Sequence, residues 1–193
     1  MTTKTQIDFC KKVVSKDEGR FSMEEVYRGE TWLAGTDGHR IHFVDKLPIT
    51  ANPQYLDLRD CEFPDVTRCL NSGAYSENVM VTIDKDSVNT MKAVIKLLKT
   101  IDKVMCGVCF FVENNRLIIR NEYLKRLDIG QCSESDRDLF CLNPQYFLDA
   151  VELDVKDSAV RLCIFEISYL DKKSMVKISC PDSKTAYIMP MKD

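Results

Sequence analysis

The strongest constraint on this chain is the way its hydrophobic period switches between strand and helix in a repeated order. A strand-like run at 79–84 (VMVTID) is followed by an N-cap signal at Asp86-Ser87 and by the longest helical pattern in the chain, VNTMKAVIKLLKTIDK. Strand patterns follow at VCFFVE and RLIIRN, around an Asn114-Asn115 turn, and then at YLKRLDIG. The order then restarts with LFCLN, a helix PQYFLDAVEL with Pro144 in its first position, and strands AVRLCIFEIS, MVKISC and TAYIMPM. Upstream, residues 4–16 put Ile7, Cys10, Val13 and Val14 on one side with Lys12 and Lys16 opposite, as in a short amphipathic helix. Strand patterns with turns at Arg28-Gly29-Glu30 and Thr36-Asp37-Gly38 come next. The chain therefore reads as three copies of one strand-helix-strand module, the first without its leading strand. A stretch at 47–78 with Pro48, Pro53, Pro64, Asn71 and Gly73 is the natural linker, and Tyr55–Leu58 is a strand candidate within it. Short turns in place of helical crossovers make the strands antiparallel, so the fold class is α+β. Each module must bury one helix and one sheet face, so modules pair helix beside helix, and three leaves one unpaired.

Composition narrows the function classes. The 193 residues are 45% hydrophobic and carry 27 Lys+Arg against 30 Asp+Glu, a net charge of -3. That excludes disordered, collagen-like and coiled-coil chains. It also excludes a generally basic nucleic-acid coat, though not a locally basic face. No apolar run approaches a membrane span, and the opening MTTKTQIDFCKK lacks an apolar core of signal-peptide length, so no membrane association and a cytoplasmic location are expected. Nine cysteines are scattered mostly within apolar runs, and reduced, buried thiols are the expectation.

Few residues invite chemistry. Lys92, Lys96, Lys99 and Lys103 recur at helical spacing, with Val94, Leu97, Leu98 and Ile101 on the opposing arc. A row of cations without acids on the same stripe suits a phosphate backbone. The third helix, read as 144–153, carries Asp149 and Glu152 and no lysine. Cys106 and Cys109 form a CxxC, but in a strand residues three apart face opposite sides, and no second pair follows, so no metal site is expected. Asp37, His39 and His42 could be combined with Cys10 on paper into a hydrolase. No nucleophile elbow, phosphate loop or carboxylate cluster accompanies them, so the reading is a non-enzyme without cofactors.

Four segments resemble one family, the bacterial replicative sliding clamp, the β subunit of DNA polymerase III. Leu33-Ala-Gly-Thr-Asp-Gly-His-Arg-Ile41 is similar to its ATDGHRL segment, and Glu62-Phe-Pro-Asp-Val-Thr-Arg-Cys-Leu70 to its FPDYRRVL linker. Cys106-Gly-Val-Cys-Phe-Phe-Val-Glu-Asn-Asn-Arg-Leu117 resembles its RGVRLYVSENQL hairpin, and Tyr187-Ile-Met-Pro-Met-Lys-Asp193 its terminal VVMPMRL, with Lys192 for its Arg and Asp193 for its Leu. The motifs keep the family's order across almost the whole chain. The resemblance implies the DNA-clamp fold, with antiparallel sheets outside and helices inside. It implies a half of the family's middle domain at 1–58, a linker at 59–78 and its complete last domain at 79–193.

It further implies a cleft for clamp-binding-motif peptides of polymerase or loader proteins, at Thr36, Gly38, His39, Arg40, Ile41, Pro64, Cys69, Met189, Pro190 and Met191. Methionines would supply an adaptable apolar floor there, Gly38 close backbone approach, and His39 and Arg40 donors. The DNA-facing residues would be Lys12, Lys16, Lys92, Lys96, Lys99 and Lys103. The implied function is a processivity factor that tethers a polymerase or other partner to duplex DNA without sequence specificity. The alternative is a regulator that binds partner peptides without encircling DNA. The odd module count makes the chain a homo-oligomer, a tetramer by preference and a dimer as the fallback.

Overall fold

A computed structural model of the chain describes residues 3–16, 24–28, 32–45, 75–101, 107–159, 161–171 and 173–191. The elements in order are α1 (Thr3–Lys11), β1 (Tyr27–Arg28), β2 (Leu33–Thr36), β3 (Arg40–Val44), β4 (Glu77–Asp84), α2 (Lys85–Ile101), β5 (Val108–Glu113), β6 (Arg116–Arg120) and β7 (Leu127–Cys132). They continue with β8 (Arg137–Leu142), α3 (Pro144–Asp157), β9 (Leu162–Tyr169), β10 (Val176–Cys180) and β11 (Lys184–Ile188). This is the expected threefold module: α1 with β1–β3, then β4, α2 and β5–β7, then β8, α3 and β9–β11. The strand candidate at Tyr55–Leu58 and most of the linker lie outside the described residues.

All the strands join one antiparallel sheet in the order β1-β2-β3-β11-β10-β9-β4-β7-β6-β5-β8. The second and third modules exchange their leading strands. β4 pairs with β9 along eight residues, and β8 pairs with β5. Beyond β11, the Met191 N–H donates to the Cys141 carbonyl of β8 at 2.9 Å, so the ribbon of strands curls back on itself. The first module joins through β3, whose five residues pair with β11.

Local chemistry sets the element boundaries. Asp84, not the Asp86-Ser87 pair, caps α2, its Oδ1 accepting the Ser87 N–H at 2.7 Å. That hydrogen bond is the main reason its carboxyl lies below the usual range. Asn143 caps α3 by accepting the Gln145 N–H at 2.9 Å, with Pro144 in the first turn as expected. The β5–β6 turn is the Asn114-Asn115 pair, both at positive φ (52° and 59°), the backbone that a two-residue hairpin requires.

The three helices among the described residues pack against the sheet and against one another, α3 lying beside both α1 and α2. Phe9, Met91, Leu98, Phe110, Phe140, Phe147 and Phe165 are fully buried in the core between the layers. α1 sits so close to β2 that a β-carbon on Gly35 would collide with the Cys10 carbonyl. Helix α1 ends at Lys11 rather than 16, so Lys12 and Lys16 lie on the segment that follows it. In α2 the buried residues are Val88, Met91, Val94, Ile95 and Leu98. Leu97 and Ile101, expected in the core, are 50% and 47% exposed. At 100° per residue they fall on the flank of α2 away from the lysines, outside the buried arc.

The cysteines depart from expectation too. Cys109 and Cys141 stand directly opposite on β5 and β8 and form a disulfide. Strand pairing brings together two residues 32 apart that sequence spacing could not connect. Cys10, Cys132, Cys163 and Cys180 are free, buried or half-buried thiols, and Cys106 lies outside the described residues.

Candidate functional site

Two surfaces gather the sequence-singled residues. On the helical layer, α2 and α3 lie stripe against stripe. Lys92 Nζ is 2.5 Å from Glu152 Oε1, and Lys99 Nζ donates to Gln145 Oε1 at 3.3 Å, which is the register of two antiparallel helices. Helix α3 runs four residues beyond the expected 153 and so does carry a lysine, Lys156, one turn after Glu152. Lys156 Nζ sits 2.6 Å from Glu152 Oε1, and Lys12 Nζ, arriving from the end of α1, is 2.6 Å from Oε2. One carboxylate thus collects a lysine from each of three helical segments. Burial by itself would raise the Glu152 pKa, but the bonds from Lys12, Lys156 and Lys92 outweigh it and bring it down to about 2. Lys96 makes no ion pair among the described residues, and Lys16 and Lys96 are exposed. Lys103 lies outside the described residues.

The second surface is where the first module meets the C-terminal segment. Asp37 Oδ1 accepts the His39 and Arg40 N–H groups at 3.0 and 3.1 Å, and Gly38 takes φ 87°, a conformation that favours glycine. Thr36 is buried, its hydroxyl donating to the Arg40 carbonyl at 2.7 Å and accepting the Gly38 N–H at 3.1 Å. Arg40, expected to offer donors to a peptide, spends them inside the protein. Its Nε bonds Asp37 at 3.0 Å, its Nη1 bonds Asp149 of α3 at 2.6 Å, and its guanidinium lies 4.2 Å from the Tyr146 ring centroid. Arg40 therefore ties the 36–41 turn to α3.

Ile41 is buried with Tyr187, flanked by Phe43, Tyr75 and Met175. Burial pushes the Tyr187 hydroxyl up to about 12. Gly38 and His39 are exposed. The Met189 N–H donates to the His39 carbonyl at 3.0 Å while its side chain is 51% exposed. Met191 packs on Gly107, where a β-carbon would come within 3.1 Å of its sulfur. The turn thus meets Met189, and from there Pro190 and Met191 run on to Gly107 and Cys141, whereas Pro64 and Cys69 lie outside the described residues.

The histidine-cysteine combination does not assemble for catalysis. His42 is fully buried, stacked 4.1 Å from Phe9, with Nδ1 2.8 Å from the Phe9 carbonyl. Burial, with Arg40, Lys12 and Lys184 nearby, lowers its pKa to about 3 and keeps it neutral. Cys10 faces the His42 backbone carbonyl, and burial pushes its thiol far up, away from the thiolate a nucleophile needs. These groups weld α1 to β3.

Sequence reasoning missed Lys156, Tyr146 and the focal role of Glu152. The i, i+4 spacing of Glu152 and Lys156 was the available signal for the first. No local pattern announces the other two, for Arg40, Lys12 and Lys92 come from other modules.

No protein-family model and no curated protein matches the chain. Solved structures do. The DNA polymerase III β subunit of Thermotoga maritima aligns with 98% of this chain and 63% of its own at 15% identity and a TM-score of 0.67. The β sliding clamp of C. crescentus aligns with 98% of this chain and 62% of its own at 18% identity and a TM-score of 0.67. The DNA polymerase III β chain of Streptococcus pneumoniae gives 98%, 62%, 14% and 0.70 for the same quantities. The chain thus spans less than two thirds of these subunits, and over that span it has the DNA sliding clamp fold.

Proposed function

We propose that this chain acts as a sliding clamp subunit, a non-catalytic cytoplasmic processivity factor whose helical layer faces duplex DNA and whose turn-and-tail surface receives partner peptides. The observation that carries this reading is the clamp fold over 98% of the chain, with the lysines of α2 on the helical layer. The domain division at 1–58 and 79–193 belongs to the same proposal. The sheet order supports a ring. In the second and third modules each leading strand pairs with the other module's first following strand. Among the described residues the first module shows no leading strand, and β1 stands at one end of the sheet and β8 at the other. Pairing of two first modules across a two-fold axis rebuilds a domain from two chains. Four copies of these three modules make up the twelve of a ring in the resembling family, the tetramer that this reading expects.

Native mass spectrometry of the chain with and without circular duplex DNA tests this. A tetramer retained on circular DNA and lost when the circle is cut is the expected result. A monomer that binds a peptide with glutamine, leucine and phenylalanine anchors but ignores DNA would replace the clamp reading with that of a non-encircling regulator.

A further inference from the structure

The lysines of α2 are not equivalent. Lys92 and Lys96 are one turn apart on the same stripe, yet Lys92 is held 2.5 Å from Glu152, and Lys96, which is exposed, pairs with no carboxylate among the described residues. Asp149, the other acid on that stripe of α3, is taken by Arg40 at 2.6 Å and Gln145 at 2.9 Å. Glu152 itself is nearly buried, its side chain 11% exposed, beneath Lys12, Lys92 and Lys156 at 22%, 39% and 53%. The three ammonium groups therefore turn inward to a shared anion, whereas Lys96 reaches solvent. Resting on the DNA-facing reading above, we propose that Glu152 is a positioning residue that withholds Lys12, Lys92 and Lys156 from DNA phosphates. Lys96 and Lys99 are left to make the direct backbone contacts from α2.

The chemistry is competition between two anions. A phosphate that takes Lys92 must displace a carboxylate whose burial leaves it dependent on its lysines. One that takes Lys96 displaces only water and counterions. At long range every lysine attracts DNA alike, so encounter is unaffected by the pairing. Contact is what differs, and the salt dependence of equilibrium binding counts contacts. Withholding three lysines keeps the grip weak, as sliding requires.

The test is the salt dependence of binding to a short duplex, by fluorescence anisotropy, for Lys92→Met and Lys96→Met. Lys96 is exposed and Lys92 partly so, and circular dichroism checks that each variant is folded. Lys96→Met should flatten the log–log salt slope by about 0.9 and weaken binding about tenfold near ~50 mM salt, as loss of one phosphate contact does. Lys92→Met should change the slope by less than about 0.3. Glu152→Gln, provided circular dichroism shows it folded, should steepen the slope by about one to three contacts' worth. Equal losses from Lys92→Met and Lys96→Met would overturn the proposal and leave the DNA-facing reading standing. No loss from Lys96→Met would overturn both.

Discussion

Glu152→Gln also has a consequence for stability that follows from the same cluster. The side chain keeps its shape but loses the charge that Lys12, Lys92 and Lys156 share. The folded pKa of Glu152 is about 2 against an ordinary 4.5. At about 1.4 kcal/mol per pH unit the ionised form is stabilised by about 3 kcal/mol relative to the protonated one. Lys92 and Lys156 are 39% and 53% exposed, so solvent and salt screening make this a ceiling. Because the folded pKa is depressed, the contribution is fully present above the unfolded value of 4.5 and is lost as pH falls towards 2. Glutamine mimics the protonated state. The variant should therefore be up to about 3 kcal/mol less stable at neutral pH, a melting temperature lower by roughly 6–12 °C for a chain of this size. Near pH ~3 more than half of the difference should have vanished. Urea unfolding of both proteins at about pH 7 and about pH 3 measures it. A gap that is the same at both pH values, or under about 0.5 kcal/mol at neutral pH, would refute the reasoning.

Other changes have equally definite outcomes. Gly35→Ala should cost about 1–3 kcal/mol in urea denaturation, because the added carbon meets the immovable Cys10 backbone carbonyl. Cys141→Ser should lower stability by about 2–4 kcal/mol through loss of the crosslink to Cys109, and a dithiol reductant should lower the wild type to the same level without affecting the variant. Lys184→Met strands the buried Asp154 carboxylate, with which Lys184 makes an ion pair, and should cost about 3–5 kcal/mol. Adding Asp154→Leu should recover most of that loss in the same unfolding assay. Met189→Ala, which removes a half-exposed side chain and no backbone bond, should weaken a fluorescent partner peptide by about 1–2 kcal/mol without shifting the unfolding midpoint.

Module order, helix positions and the Asn114-Asn115 hairpin were legible in the sequence because each is set by interactions within a few residues. Apolar spacing chooses the helix or strand period, and side-chain caps and positive φ punctuate it. The proposed peptide-site positions rest on short ordered motifs, which are local for the same reason. What those motifs could not show was how each charge is spent. Arg40 looks like a peptide donor until α3 brings Asp149 and Tyr146 against it. Leu97 and Ile101 satisfy a helical repeat but miss the buried arc, whose width depends on what α2 packs against. Cys109 finds Cys141 only through strand pairing. Glu152 reads in the sequence as an acid that detracts from a basic surface. Tertiary packing makes it the anion that orders three lysines from three modules. A charge's partner is decided by distance, and distance between modules is decided by the packing of helices on a shared sheet.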